Sequence, residues 1–262
     1  MKLNIINNAH GPESKAWYTL RPLQAYHVPN GIPTMWGLRL TNHRRARECR
    51  KANKPWLFCD MPYWGRWNPL KEAVAPDAEY YWRTIFNDIH VTKIHDNLPQ
   101  DRIKDITLKD WRTKGEYILL APSSDSINGF VGRPNWERET IELLKSKTDM
   151  PIKIRRKPRM GARSGPAYAL VPLADDLAKA ACVITSCSLV GVEAAIEGIP
   201  VYSLPRGATW PIAQAVENFG QANYSDKRKE WLATLSYHQY TCKEIESGLF
   251  KEMMEGMYDE LR

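Results

Sequence analysis

The sequence has no long hydrophobic run and few residues that build covalent or metal cross-links. No stretch of about 18 apolar residues occurs, so we expect no membrane-spanning helix. The N-terminal segment lacks the long apolar core of a signal peptide and is typical of a first β-strand. The five cysteines have neither CxxC nor Cys/His spacing for zinc. Their odd number, without an export signal, favours reduced thiols in the cytoplasm, so we expect no disulfide framework and no structural zinc.

Three common ligand-binding motifs are also missing. The chain contains no GxxxxGK phosphate loop, no GxGxxG dinucleotide fingerprint and no HExxH zinc motif. The sequence therefore predicts none of the three corresponding kinds of site, and any ligand-binding role has to be argued from other patterns.

The charge balance and the order of segments indicate a globular α/β protein. The 262 residues carry 37 Lys and Arg against 30 Asp and Glu, a formal charge of +7, and 43% are hydrophobic. Short apolar segments alternate with helical ones, which predicts parallel sheets with right-handed crossovers. We predict two α/β halves, residues 1–100 and 101–262, the second ending in C-terminal helices. The pattern leaves 78–89 open between strand and helix. The predicted strands are 3–8, 34–38, 55–59, 116–121, 151–155, 182–185 and 200–204, and the predicted helices include 41–51, 135–147, 173–181, 188–197 and 226–258.

The most informative run extends from Val183 to Val201, with the order strand, small-polar turn, helix, glycine and strand. Ser186 and Ser188 lie where a helix N-terminus offers backbone N–H groups and the positive end of its dipole, which suits a phosphate. Glu193 lies in the same helix, where a carboxylate can accept hydrogen bonds from two ribose hydroxyls. The alternative is that Ser188 only caps the helix and Glu193 is a solvated helix residue.

This run resembles the nucleotide-sugar-binding half of glycosyltransferases with the two-Rossmann, or GT-B, architecture. The resemblance covers about residues 116–206. It implies that Ser186 and Ser188 face phosphate, that Glu193 binds the ribose, and that Gly198 and Pro200 shape the following turn. It also implies two Rossmann-like halves whose parallel sheets face a cleft, and a nucleotide-diphosphate sugar, with a UDP-sugar as the first candidate donor. The sequence has no Asp-x-Asp, which agrees with a metal-independent transferase of hexosyl or pentosyl groups.

Two further segments contribute to the predicted donor site. Lys153, Arg155 and Lys157 follow one another at alternate positions near the end of a strand, where they can neutralise a diphosphate leaving group. A solvated basic edge or a nucleic-acid contact is the alternative. Ser123 follows the first strand of the second half and is either a donor contact or a capping residue of a turn.

The acceptor side is predicted in the first half. Asp60 ends a hydrophobic strand and is our candidate general base, with a turn-forming aspartate as the alternative. His10, in the loop after the first strand, is a second catalytic candidate. Asp88 and His90 compete for the same role.

A basic segment and an aromatic loop point to the acceptor. Arg44, Arg47 and Lys51 share one helical face, which indicates either contact with nucleic-acid phosphates or a solvated surface. Trp64 and Arg66 lie in the loop after Asp60.

The whole pattern resembles compact phage-encoded enzymes that glycosylate hydroxymethylated pyrimidines in DNA. That resemblance implies a duplex DNA acceptor, a flipped base and a location in the host cytoplasm. The alternatives are a transferase acting on polysaccharide or lipid-linked sugar, and a nucleic-acid-binding protein without catalysis.

Overall fold

A five-stranded mixed sheet forms the centre of the first part of the molecule. The computed structural model describes residues 1–6, 20–38, 40–65, 80–156 and 171–259. In their spatial order the strands are β1 (Leu3–Ile5), β2 (Ile32–Trp36), β3 (Leu57–Asp60), β4 (Trp82–Phe86) and β9 (Gln239–Tyr240). Strands β1, β2 and β3 are parallel, and β4 is antiparallel to both of its neighbours, β3 and β9.

Strand β4 departs from the predicted parallel arrangement. All five of its residues are buried, so the segment shows no alternation that would separate a strand from a buried helix. The hydrophobic pattern also does not show whether β4 runs parallel or antiparallel to its neighbours. The antiparallel pairing sets Arg83 directly opposite Asp60, the last residue of β3. The α/β class is confirmed, and the parallel prediction holds for β1, β2 and β3.

The C-terminal segment does not belong where the sequence predicts it. A single helical stretch over 226–258 is expected, but the structure has α6 (Arg228–Ser236), β9, α7 (Cys242–Glu246) and α8 (Leu249–Met257). Strand β9 pairs with β4, and Phe250 and Met254 pack in one core with Leu3 and Leu57. The chain therefore divides into unit 1, Met1–Val91 with Ala233–Arg262, and unit 2, Thr92–Leu232. This replaces the division at residue 100.

Unit 2 contains a four-stranded sheet in which every neighbouring pair is parallel, as predicted for the second half. Its strands, in spatial order, are β6 (Ile152–Ile154), β5 (Tyr117–Ala121), β7 (Ala180–Thr185) and β8 (Val201–Ser203). Among its described residues, unit 2 contains the helices α2 (Asp125–Phe130), α3 (Trp136–Lys145), α4 (Leu173–Ala178) and α5 (Val190–Ile196), and α6 begins in it. Helix α2 is not predicted from the sequence; it begins after Ser124, whose side chain accepts a hydrogen bond from the Ile127 N–H.

Two further features bear on function. Helix α1 (Leu40–Lys51) occupies the segment predicted as a basic helix, although it begins one residue before the predicted bound at residue 41. Within the described ranges, no helix combines the length and the apolar character needed to cross a membrane.

Candidate functional site

The carboxyl ends of β5 and β7 form the topological switch point of unit 2. The chain passes from β5 to β6 on one side and then to β7 on the other side of β5. In open α/β sheets, ligands bind in the crevice that this reversal creates. Ser123 follows β5 and Ser186 follows β7, so the fold brings two of the predicted donor-site residues to this point.

Ser123 and Ser186 are joined to each other and to Asn128. The Ser123 N–H donates to Ser186 Oγ at 3.1 Å, and the Cys187 N–H donates to Ser123 Oγ at 3.1 Å. Ser186 is fully buried, and its hydroxyl donates to Asn128 Oδ1 at 2.7 Å. This geometry gives Ser186 a role in holding the turn, whereas its predicted contact with phosphate requires a hydroxyl that is already used inside the protein. Asn128, on the unpredicted helix α2, is a site residue that the sequence analysis missed.

Ser188 and Glu193 occupy more open positions. The Ser188 N–H donates to Thr185 Oγ1 at 2.8 Å, and the Ser188 hydroxyl accepts from the Val190 N–H at 3.4 Å. Both Ser188 and Glu193 are half-buried, and Glu193 lies in the first turn of α5. Hydroxyls thus occupy several N–H groups of the turn, so its anion-binding capacity is smaller than a bare helix N-terminus would offer. The contacts of Ser188 and Glu193 with a nucleotide stay predictions.

The basic residues of β6 are paired with a buried carboxylate. Asp176, on α4, is 1% exposed and forms an ion pair with Arg155 and another with Lys153 at 2.6 Å. Burial alone would raise the Asp176 pKa, but the hydrogen bonds from Lys153 and Arg155 outweigh it and hold the pKa below its ordinary value. The pKa of Lys153 is raised, mainly by its hydrogen bond to Asp176. The sequence offered three cations for a diphosphate, Lys153, Arg155 and Lys157; the structure places the first two in a triad with Asp176 that has one excess positive charge.

One further cation lies at the same edge of the sheet. Arg206 follows β8 by three residues and is half-buried. Because all four strands are parallel, the segments after β6, β5, β7 and β8 lie along one edge. Arg206 therefore joins the candidate site, and a position just after a predicted strand was the signal that could have identified it.

Asp60 is held from two sides in unit 1. Its Oδ1 accepts a hydrogen bond from the Met61 N–H at 2.7 Å, and its Oδ2 lies 3.4 Å from Arg83 Nη2. The Asp60 side chain is 29% exposed, whereas the Arg83 side chain is 5% exposed. Asp60 is thus accessible and oriented, as a general base must be, although this geometry does not test that role.

The competing candidates are placed differently. His90 is buried, and its Nδ1 lies 2.6 Å from Arg83 Nη1. Asp88 is half-buried, and its Oδ1 accepts from the Ile89 N–H at 2.8 Å. Burial makes His90 a poor candidate for direct contact with an acceptor. Of Asp60, Asp88 and His90, Asp60 is therefore the best placed to act as the general base.

The aromatic loop after Asp60 is anchored at Tyr63. The Tyr63 N–H donates to Gln239 Oε1 at 2.8 Å, and the phenol oxygen accepts from the Val91 N–H at 3.3 Å. Burial raises the Tyr63 pKa to about 12, so the phenol stays neutral. Trp64 is half-buried, with its ring centroid 6.3 Å from that of Tyr63. This leaves part of Trp64 available for the predicted contact with a base.

Helix α1 presents its predicted cationic face to solvent. Ala46 is buried, and Asn42 anchors the helix by donating to the Trp36 carbonyl at 2.8 Å. Arg44, Arg47 and Lys51 are exposed, and Arg44 lies 3.6 Å from Glu48. The exposure agrees with a binding surface and equally with a solvated helix face.

Three predicted site residues lie outside the described residues: His10, Arg66 and Lys157. Their roles stay predictions. Within the described ranges, no group of three or more His, Cys, Asp or Glu residues is placed to hold a metal ion.

A cavity of about 550 Å³ lies elsewhere in unit 2. Its wall includes Trp111, whose indole N–H donates to the Ser225 carbonyl at 3.2 Å, and Arg228, whose guanidinium carbon lies 4.0 Å from the centre of the Trp111 ring. None of the predicted donor-site residues that the structure describes lines this cavity. We therefore base the candidate site on the strand ends, where the fold itself creates a crevice.

Comparison with known proteins identifies a shared fold. No protein-family model and no curated protein matches the chain. A solved structure of Thermosulfurimonas dismutans KpsC, a beta Kdo 2,4 transferase, is 12% identical, with a TM-score of 0.50 over 95% of this chain and 98% of that chain. A KpsC beta Kdo 2,7 transferase from the same organism is 14% identical, with a TM-score of 0.50 over 96% of this chain and 99% of that one. The chain thus has a fold found in glycosyltransferases.

Proposed function

We propose that the protein is a glycosyltransferase that moves a hexosyl or pentosyl group from a nucleotide-diphosphate sugar to a hydroxyl acceptor, without a bound metal. The observation that carries the proposal is the switch-point turn, where Ser123, Asn128 and Thr185 hold the backbone and side chains of Ser186, Cys187 and Ser188 just before α5. A rigid turn beside a crevice is what a nucleotide site needs. The likeness in fold to transferases supports the same conclusion.

The donor roles follow from exposure and charge. Glu193 accepts the ribose hydroxyls, and Ser188 contacts a phosphate. The Lys153 side chain is 46% exposed, so it can turn from Asp176 to the diphosphate while Arg155 keeps the carboxylate paired. Arg206 supplies a second cation. These positive groups stabilise the charge that develops on the leaving diphosphate.

Asp60 is the proposed general base, which takes the proton of the acceptor hydroxyl as the new glycosidic bond forms. Its oxygens are oriented by the Met61 N–H and Arg83, and its side chain remains accessible. Asp60→Asn keeps the shape of the side chain and removes its capacity to accept the proton. We expect turnover to fall by about 100-fold or more with nucleotide binding unchanged. Near-normal turnover would exclude Asp60 as the base.

The proposed acceptor is duplex DNA that carries a hydroxymethylated pyrimidine. The exposed cations of α1 support a polyanionic acceptor. A glycan acceptor is the second candidate, because the two structural neighbours are named as beta Kdo transferases. A duplex containing 5-hydroxymethylcytosine or 5-hydroxymethyluracil, an unmodified duplex and an oligosaccharide distinguish the two. Transfer only to the hydroxymethylated duplexes would support DNA, and transfer only to the oligosaccharide would support the glycan.

A thermal-shift panel tests the donor class. UDP, GDP, CDP, ADP and dTDP are compared with and without EDTA. A ligand at about 100 times its Kd stabilises the folded state by about 2.7 kcal/mol, which raises the Tm of a chain of this size by about 5 °C or more. We expect one nucleotide to do so, equally with EDTA, and Glu193→Ala to reduce the shift by at least half.

Glu142→Ala is the matched control, because it removes an exposed carboxylate from α3, away from the strand ends. It should leave the nucleotide shift intact. If no nucleotide stabilises the protein while DNA still binds, the alternative of a nucleic-acid-binding protein without catalysis replaces the enzyme. A shift abolished by EDTA would show that a metal is required.

A further inference from the structure

A buried arginine connects Asp60 to His90. The Arg83 guanidinium places Nη2 at 3.4 Å from Asp60 Oδ2 and Nη1 at 2.6 Å from His90 Nδ1. A guanidinium can only donate hydrogen bonds, so this contact requires an imidazole nitrogen of His90 as the acceptor; the second ring nitrogen, Nε2, lies 3.3 Å from the same Arg83 Nη1. The three side chains come from the end of β3, from β4 and from the turn after β4, and all of them belong to unit 1.

The arginine is fixed in place by packing as well as by hydrogen bonds. Its guanidinium carbon lies 5.4 Å from the centre of the Phe58 ring and 5.4 Å from that of Tyr63. Tyr63 is itself held by Gln239 on β9 and by the Val91 N–H. The Arg83 guanidinium therefore has little freedom to move, and its fixed position determines where the Asp60 carboxylate lies.

The cluster is not arranged for maximal stability. Within the described part of the chain, the Arg83 Nε is buried without a hydrogen-bond partner. Replacing a buried ionic group by apolar residues of similar volume is often neutral or stabilising. The Arg83 guanidinium is charged and buried, its Nε has no hydrogen-bond partner, and its Nη2 faces the accessible carboxylate of Asp60. This arrangement indicates that Arg83 has a role at Asp60 beyond stabilising the fold.

We propose that Arg83 and His90 are positioning residues for Asp60: His90 fixes the Arg83 guanidinium, which fixes the orientation of the Asp60 carboxylate. This inference rests on the proposed role of Asp60 as general base. In this arrangement neither Arg83 nor His90 contacts a substrate. With Oδ1 on the Met61 N–H and Oδ2 on Arg83, both oxygens are held, so the carboxylate meets the acceptor hydroxyl in one orientation.

Among the residues that the structure describes, the other titratable groups around the cluster are Cys59, Tyr63 and Asp88. Burial raises the pKa of Cys59 and that of Tyr63 to about 12, so both stay neutral in the working range of pH. The cluster therefore has Arg83 as its cation, and Asp60 and Asp88 as its carboxylates.

His90→Phe and His90→Asn form the test pair. Phenylalanine keeps the ring and removes the acceptor for Arg83 Nη1, whereas the Asn amide oxygen can replace Nδ1. With UDP-glucose and a 5-hydroxymethylcytosine duplex as probes, we expect His90→Phe to lower kcat about tenfold, with the KM for UDP-glucose within about twofold, since a misplacement of about 1 Å already costs a large part of the rate. His90→Asn should recover kcat to within about threefold of the wild type.

His27→Phe is the control for a merely structural effect. His27 also accepts a hydrogen bond, from the Ile5 N–H at 3.0 Å, but at β1. It should lower the Tm and leave kcat unchanged. If His90→Phe behaves like His27→Phe, or if His90→Asn is as slow as His90→Phe, the inference is overturned.

Arg83→Lys keeps the inference testable if His90→Phe does not fold. Lysine keeps the charge but cannot bridge Asp60 and His90, so the same loss of kcat at constant KM is expected. Asp60→Asn distinguishes the proposed base role of Asp60 from the positioning role of Arg83 and His90. If Asp60→Asn retains turnover, the base and the inference fail together. If Asp60→Asn is inactive while Arg83→Lys has wild-type kcat, only the inference fails.

Discussion

At the scale of single residues, the main finding is that charges predicted for a ligand are partly used within the protein. Lys153 and Arg155 both pair with Asp176, and a sequence pattern cannot reveal that partner because Asp176 lies more than 20 positions away. A buried carboxylate between two cations stabilises the fold only while it is ionised.

Asp176 makes the stability depend on pH. Because its folded pKa lies below its ordinary value, its contribution is fully present above about pH 4, the ordinary range of an aspartate, and disappears as the pH falls through the folded pKa. Asp176→Asn should lower the free energy of unfolding by about 1–3 kcal/mol at pH 7. The difference from the wild type should shrink below pH 4. Urea unfolding from pH 7 to pH 2.5 measures both.

Asp175→Asn is the neighbouring control, since Asp175 is exposed on the same turn of α4. It should change the free energy of unfolding by less than about 0.5 kcal/mol. Equal effects of the two substitutions would show that the helix N-terminus, and not the ion triad, is responsible.

At the scale of elements, α5 is fixed at both of its ends. Its start adjoins the turn held by Ser123, and its last carbonyls accept hydrogen bonds from the segment that precedes β5 and from Arg228. The Lys109 N–H donates to the Ile196 carbonyl at 3.0 Å, and Arg228 Nη1 donates to the Ala195 carbonyl at 3.0 Å. Gly198 then turns the chain with a φ of 74°, the left-handed conformation that glycine commonly adopts just after a helix.

Gly198 tolerates no side chain. A Cβ there would collide with the Asp110 carbonyl oxygen, and the positive φ adds backbone strain. Gly198→Ala should therefore lower the free energy of unfolding by about 2 kcal/mol or more. Gly256→Ala is the control, because Gly256 lies inside α8 with open space around it and should stabilise by about 0.5–1 kcal/mol. An unchanged free energy of unfolding in Gly198→Ala would mean that the segment around Asp110 moves away at little cost.

These elements show which parts of the fold were predictable. The strands of unit 2 follow short apolar runs bounded by turn residues, so β5, β7 and β8 lie where the sequence places them. Strand β9 was not predictable, because two residues between helices carry no periodicity, and only their pairing with β4 defines them as a strand. The same pairing moves the C-terminal helices into unit 1.

At the scale of the whole molecule, the formal charge of +7 is distributed unevenly. Helix α1 alone carries five Lys and Arg residues against one glutamate. A protein that binds DNA through such a surface releases counterions, so its affinity falls with salt in proportion to the number of phosphates contacted.

The salt dependence of DNA binding tests this surface. If Arg44 and Arg47 each contact a phosphate, their joint replacement by alanine should reduce the slope of log K against log salt by about 1.8. Lys104→Ala with Lys251→Ala removes the same charge from exposed positions outside α1 and should leave the slope unchanged. Fluorescence anisotropy with a duplex, from about 50 to 200 mM salt, measures the slopes. Equal slopes for the two double variants would identify α1 as a solvated face.

The sequence by itself determined the α/β class, the parallel sheet of unit 2, the turn after β7 and the position of Asp60 at a strand end. Each of these depends on local signals, namely short apolar runs, small polar turn residues and a glycine, which act over a few neighbouring positions.

Only the tertiary structure decided the partners: Asp176 for Lys153 and Arg155, Asn128 for Ser186, and Arg83 for Asp60. These contacts join residues brought together by strand pairing and helix packing. A pairing across 58 positions between Asn128 and Ser186 leaves no periodic pattern in the chain. Ser123, Ser188, Glu193 and Asp60 could thus be proposed from the sequence, whereas Asn128, Arg206 and the contacts that orient the site follow from the fold.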